Sequence, residues 1–119
     1  MVDQVTEYVD AELPGTLTLD RLGRVAGVSP FHFAHAFKAT TGLSPHQFVM
    51  ARRMHRATLL LAGTAMAVPQ IAAAVGLSNV SYFRRLFRRE VGMLPGELRE
   101  TARLDPARPA AVVPASDHD

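Results

Sequence analysis

Leu22–Pro45, LGRVAGVSPFHFAHAFKATTGLSP, and Ile71–Pro95, IAAAVGLSNVSYFRRLFRREVGMLP, are two copies of one pattern, and that repeat decides the fold. Leu22, Gly23, Gly27, Val28 and Ser29 correspond to Ile71, Ala72, Gly76, Leu77 and Ser78 at an offset of 49. Beyond the serine the offset becomes 50, pairing Phe33, Phe37, Gly42 and Pro45 with Phe83, Phe87, Gly92 and Pro95. The turn of the second copy is therefore one residue longer.

Each copy reads as a short helix, a tight turn, a second helix and a stop. A small residue, Gly23 or Ala72, lets the second helix cross closely, and Gly27 or Gly76 supplies the backbone freedom of a sharp turn. Ser29 and Asn79 are placed to cap the following helices, with Pro30 suited to a first helical position. Gly42 and Gly92 stand where a helix-ending glycine belongs. Glycine turns of this kind also occur in ordinary helical bundles. Their duplication, in a stretch that lacks acids, favours a pair of helix-turn-helix units.

Outward from the repeats, the pattern stays helical. Val2, Val5, Val9 and Leu13 form an apolar stripe on an otherwise acidic first helix, which Pro14-Gly15 closes. Between the copies, a helix from about 46 to 61 turns Met50, Met54, Ala57 and Leu61 inward and groups Arg52, Arg53 and Arg56 on another face. Its roughly 16 residues span about 24 Å. Major grooves on one side of DNA recur about every 34 Å, so two helices joined by such a spacer suit adjacent grooves. The fold class expected is all-α. After Arg103, LDPARPAAVVPASDHD has three prolines and no sustained period, and reads as a flexible tail.

The 119 residues suffice for one compact domain, and net charge is only +2. The order of the charges is more telling. All eleven acids lie outside residues 21 to 89, whereas that window holds ten cations: Arg21, Arg24, Lys38, Arg52, Arg53, Arg56, Arg84, Arg85, Arg88 and Arg89. Such a segment attracts a polyanion such as nucleic acid. An anionic membrane surface would also answer to the charge, but it needs an exposed apolar face that the core here requires.

In each second helix the apolar stripe, Phe33, Ala36 and Phe37 or Phe83, Leu86, Phe87 and Val91, is read as core. The opposite faces carry Phe31, Ala34, His35 and Lys38 in the first copy and Ser81, Arg84, Arg85 and Arg88 in the second. An α-helix fits the major groove, where Arg can donate two hydrogen bonds to guanine O6 and N7. Arg84 and Arg85 are the foremost base-reading candidates. Arg88, Arg89 and Lys38, with Arg52 and Arg53 of the connecting helix, are phosphate-contact candidates, which add affinity without sequence information. His35 can hydrogen-bond a base or phosphate, and Phe31 and Ala34 can pack on thymine methyl groups, although Phe31 could equally complete the local core. His32 and His35 have a spacing compatible with a metal but no further ligand nearby, so no metal and no cofactor are expected.

The chain resembles the DNA-binding domain of the AraC/XylS family of bacterial transcription regulators over about residues 3 to 103. The resemblance rests on Phe48, Arg53-Met54, Ala57 and Leu60-Leu61, then Ile71-Ala72, Gly76-Leu77, Phe83 and Phe87, and finally Gly92, Pro95 and Arg99. It implies seven helices in a domain spanning 1–103. A first helix-turn-helix occupies about 18–42, a linker helix about 45–62, a second helix-turn-helix about 68–92 and a closing helix about 95–103, with 104–119 as tail. It implies base contacts at Phe31, Ala34 and His35 and at Val80, Ser81, Arg84 and Arg85. It further implies regulation of transcription initiation on double-stranded promoter DNA and RNA polymerase as a second partner. Most relatives carry an effector or dimerisation domain on the N-terminal side, so the chain reads either as a single-domain regulator or as the DNA-binding part of a larger protein from which that domain is missing. Leu77 stands where the family often has Phe, Gly23 where it often has Ala, and Ala67-Val68-Pro69 where a serine cap is usual. A helical glycine costs up to about 1 kcal/mol relative to alanine, so the first unit is expected to be the less stable.

Other functions are disfavoured. The acids cluster at the ends, the serines have no base partner and no phosphate-cradling glycine loop occurs, so an enzyme is not expected. A helical module that grips a protein of the transcription machinery is the alternative, with Phe31 as its anchor. No cysteine is present, the N-terminus lacks the features of a signal peptide, and the longest apolar runs fall short of the roughly 20 residues that span a bilayer. A cytoplasmic, nucleoid-associated protein is expected.

Overall fold

The computed structural model describes residues 1–105, so all but the first two residues of the expected tail, 104–119, lie outside the described residues. Among the described residues the chain forms seven helices and no strand: α1 (Val2–Ala11), α2 (Leu19–Ala26), α3 (Pro30–Thr41), α4 (Pro45–Gly63), α5 (Val68–Ala74), α6 (Val80–Val91) and α7 (Pro95–Leu104). It divides into two compact units, 1–52 and 53–119, and the division falls inside α4 rather than in a loop.

The two helix-turn-helix hairpins, α2–α3 and α5–α6, are built from the same bonds. In the first, Val28 N–H donates to Gly23 O at 2.9 Å and Gly27 N–H to Arg24 O at 3.1 Å. In the second, Leu77 N–H donates to Ala72 O at 2.8 Å and Gly76 N–H to Ala73 O at 3.0 Å. This crossed pair is the Schellman arrangement, which satisfies terminal carbonyls while a left-handed residue reverses the chain. Gly27 and Gly76 take that conformation at φ 77° and 85°. Each turn then hands directly to a cap: Ser29 Oγ accepts from His32 N–H at 3.2 Å, and Asn79 Oδ1 from Tyr82 N–H at 2.9 Å.

In unit 1, Val5 and Val9 of α1, Leu13, Leu22 of α2, Phe33 and Phe37 of α3 and Val49 of α4 form one buried cluster. Phe37 is the hinge of its aromatic packing, 5.2 Å from Phe33 and 5.0 Å edge-on from Phe48. Unit 2 buries Met54, Ala57 and Leu61 of α4, Ile71 and Ala72 of α5 with Val75 just past its end, Phe83, Leu86 and Phe87 of α6 and Leu98 of α7. Phe33, Phe37, Phe83 and Phe87 are fully buried, each contributing roughly 1.5–3 kcal/mol by leaving water. Some stripe positions are only half-buried, namely Val2, Ala36, Met50 and Val91, and Leu13 is buried from just beyond the end of α1.

The missing serine cap of α5 has a substitute. Ala67 has no side-chain acceptor, but Gln70 Oε1 reaches back to accept Ala67 N–H at 3.0 Å. Glu97 does the same for Leu94 N–H at the start of α7. At α4 the exchange is reciprocal, with Ser44 N–H donating to Gln47 Oε1 and Gln47 N–H to Ser44 Oγ.

Gly23 is held by space rather than by dihedral angle. A Cβ there would stand 2.9 Å from Val28 O and 3.3 Å from Pro30 N, both backbone atoms. Ala72 fits its methyl at the equivalent place, where the longer second turn puts an additional residue before the next helix. We therefore expect Gly23→Ala to destabilise the protein by about 1–3 kcal/mol, the overpacking cost exceeding the gain in helix propensity. Gly63→Ala, with open space around its Cβ, should be neutral or stabilising by up to about 1 kcal/mol. Equilibrium denaturation of the two variants checks the contrast, and a stabilised Gly23→Ala would refute the close crossing.

Candidate nucleic-acid interface

The outer faces of α3 and α6 are reached by the same geometry in both units. Each Schellman turn fixes where the second helix begins, and the paired phenylalanines fix its rotation by burying one face. On α6 this leaves Ser81, Tyr82, Arg84, Arg85, Arg88 and Arg89 exposed and Val80 half-buried. On α3 it leaves Phe31, His35 and Lys38 exposed and Ala34 half-buried. Phe31 faces outward at 75% exposure, which removes it from the local core.

The cations differ in what holds them. Arg52 is clasped by Asp10 through Nε at 2.8 Å and Nη2 at 2.7 Å. Arg53 Nη1 donates to Val75 O at 2.6 Å from a residue only 7% exposed. Arg99 caps the end of α4, donating from Nε to Leu61 O and from Nη2 to Thr64 O. Arg103 pairs with Glu100, holding that carboxyl below its usual pKa by hydrogen bonding and charge. By contrast, among the described residues no ion pair engages Arg84, Arg85 or Arg88, and Arg89 meets only Glu90, at 3.6 Å and 72% side-chain exposure. Unpaired positive charge thus concentrates on α6.

Two phosphate-contact candidates change standing. Arg53 is not on the surface: it turns inward to the carbonyl of Val75, which caps the end of α5, and burial lowers its pKa from the ordinary value. An Arg stays charged even so, and its role is to tie α4 to α5. Arg52 is neutralised by an acid from α1, so the charge segregation along the chain is not wholly preserved in space. Lys38, Arg88 and Arg89 remain exposed. Tyr82, 41% exposed and one turn ahead of Arg85, had not been singled out; its i, i+3 relation to Arg85 is the feature that marks it. Among the described residues, no group of three or more His, Cys, Asp or Glu is arranged to hold a metal ion.

Two glycine-turned hairpins, each exposing the outer face of its second helix, define a double helix-turn-helix protein. A family model described as a helix-turn-helix domain matches residues 22–101, and the chain belongs to the AraC/XylS-type helix-turn-helix family. It is 33% identical over 104 residues to the bifunctional transcriptional activator/DNA repair enzyme AdaA of Bacillus subtilis, covering 87% of this chain and 49% of that protein. It is 32% identical over 102 residues to the MmsAB operon regulatory protein of Pseudomonas aeruginosa, covering 86% of this chain and 33% of that one. The chain thus spans about half the length of the first relative and a third of the second.

Solved structures agree on the architecture. A transcriptional regulator with an AraC-type DNA-binding domain from Chromobacterium violaceum superposes with a TM-score of 0.81 at 27% identity, covering 87% of this chain and 92% of that one. The DNA-binding domain of AdpA, in complex with a target DNA, superposes with a TM-score of 0.80 at 24% identity, covering 91% and 97%. At that identity the likeness to AdpA concerns the fold alone.

Removing the inward arginine should separate structure from surface. Arg53→Ala leaves Val75 O without its donor and is expected to cost about 1–3 kcal/mol of stability, whereas Arg88→Ala should fall within about 0.5 kcal/mol of the parent. Chemical denaturation of both variants measures this, and an unchanged Arg53→Ala would return that residue to the surface set.

Proposed function

We propose that the chain binds double-stranded promoter DNA sequence-specifically, with α3 and α6 each entering a major groove, and thereby regulates transcription initiation. The observation that carries this is the outer face of α6, where Arg84, Arg85 and Arg88 are exposed together on one helix without ion-pair partners, while Arg52, Arg53, Arg99 and Arg103 are engaged. Arg84 and Arg85, with Ser81 and Val80 toward the helix start, are the base-reading set, and guanine is the base their paired donors suit. Arg88, Arg89 and Lys38 are the phosphate-contacting set.

RNA polymerase is the protein partner this reading favours, and an effector-sensing or dimerisation domain is its functional companion. The names of the relatives support transcription control, and a place in the cytoplasm, at the nucleoid, is part of this reading. Among the described residues, no helix is long and apolar enough to cross a membrane. The repair activity in the name of AdaA belongs to that protein; this chain is read as binding DNA without altering it.

Affinity for duplex DNA should fall steeply with salt, because each neutralised phosphate releases counterions. Arg84→Ala or Arg85→Ala should cost about 1–3 kcal/mol, confined to one base position. Arg88→Ala should weaken all duplexes alike and reduce the slope of log K against log salt by about 1. Selection from random duplexes followed by salt titration reads all three effects, and binding that is absent or indifferent to salt would overturn the proposal.

A further inference from the structure

The outer face of α3 lacks the paired donors of α6 but has a defined shape. The ring of Phe31 stands 75% exposed and stacks on His35, with centroids 4.5 Å apart at 53°. The two are one turn apart on the same helix, so each limits the other's rotamers. Beside them lies a shallow open depression lined by Ala34, His35, Lys38, Ala39, Ser44 and Pro45, all from unit 1. Ala34, three residues on from Phe31 along the same helix, carries only a methyl group. Nothing in α3 is acidic, and Lys38 is exposed two turns beyond Phe31.

Single exposed apolar residues are common on protein surfaces, so it is the place of Phe31 on the face proposed to enter the groove, with His35 packed on it, that gives the ring a use. On a major-groove floor the apolar group is the C5-methyl of thymine, which cytosine and uracil lack. A cationic flank and an absence of carboxylates fit a polyanionic duplex on this face better than a neutral or basic protein surface. We propose that Phe31, braced by His35 and bordered by Ala34, reads a thymine methyl group, so that the first helix-turn-helix selects a thymine-bearing step by shape rather than by hydrogen bonds. This rests on the proposed DNA binding and names the chemistry of its α3 half. Phe31 is the specificity-determining group and His35 a positioning residue.

Replacing thymine by deoxyuridine removes only the methyl and keeps every hydrogen-bonding edge, which makes the test direct. The full chain would first select duplexes from a random pool. Each thymine of the enriched duplex would then be changed to deoxyuridine in turn, and affinities measured for the parent, Phe31→Ala and Arg85→Ala. One or two positions should each lose about fourfold in affinity in the parent, the worth of one buried methyl group. Phe31→Ala should bind the thymine duplex more weakly and be indifferent to deoxyuridine at those positions, while Arg85→Ala should keep the parent's sensitivity. Pairing the side-chain and methyl deletions in one cycle separates contact from any effect of the methyl on DNA shape.

A parent indifferent to every deoxyuridine, or a Phe31→Ala variant as sensitive as the parent, would overturn this inference and leave DNA binding by α6 standing. If Phe31→Ala left DNA selection unchanged but abolished binding to RNA polymerase, the ring would be a protein anchor and the inference would likewise fall. Enrichment of no duplex at all would overturn the DNA-binding proposal itself.

Discussion

A short helix that must reverse direction within a few residues has carbonyls to satisfy and no room for side chains, and the crossed hydrogen-bond pair at Gly23–Val28 and Ala72–Leu77 resolves both demands. The rest follows from it in order. Because the turn is closed by backbone alone, the residue at its exit can cap the next helix, as Ser29 and Asn79 do. Because the cap fixes where α3 and α6 begin, the phenylalanines one turn apart fall on the side that faces α2 or α5. Once those rings are buried, the opposite face is committed to the outside. The position of every candidate contact residue on α3 and α6 is thus a consequence of the turn.

The two copies solve the crossing differently. In the first, the turn is shorter and the backbone of Val28 and Pro30 comes within contact distance of where a Cβ on Gly23 would stand. In the second, an added residue relaxes the approach and a buried alanine methyl is tolerated. By helix propensity alone, glycine at 23 is a weakness of the first unit. In the structure it is the residue that permits the tighter turn, and the propensity cost of up to about 1 kcal/mol is smaller than that of forcing a methyl against two backbone atoms.

Most of the fold was legible because it is written in local rules. Glycines with positive φ, cap residues and helical spacing of aromatics depend on near neighbours in sequence, and the offset repeat let each copy check the other. What was not legible depends on distant partners. Arg53 carries the same charge as Arg88 and sits on a helix face with Arg52 and Arg56, yet its guanidinium bonds a carbonyl 22 residues away. Arg52 meets an acid 42 residues earlier. Sequence spacing reports which side of a helix a residue occupies, not whether another helix end arrives there with unpaired carbonyls. Phe31 was ambiguous for the related reason that its position borders the buried stripe, and only the packed neighbours decide on which side of that border it falls.

The duplication also explains why the outer faces could diverge while the scaffold did not. Turn, cap and aromatic positions are constrained by backbone bonding and packing, so a change at Gly27, Ser29 or Phe33 costs stability whatever the helix is used for. Exposed positions of the same helices carry no such cost, since surface substitutions usually fall within about 0.5 kcal/mol. One scaffold can therefore present Ser81, Arg84 and Arg85 on α6 and Phe31, Ala34 and His35 on α3 with no loss of fold. The first set suits polar base edges and charge; the second suits an apolar group and shape. On the proposed reading, two identical faces would read the same step twice, whereas this division gives each hairpin different information to contribute, one by hydrogen bonds and the other by fit.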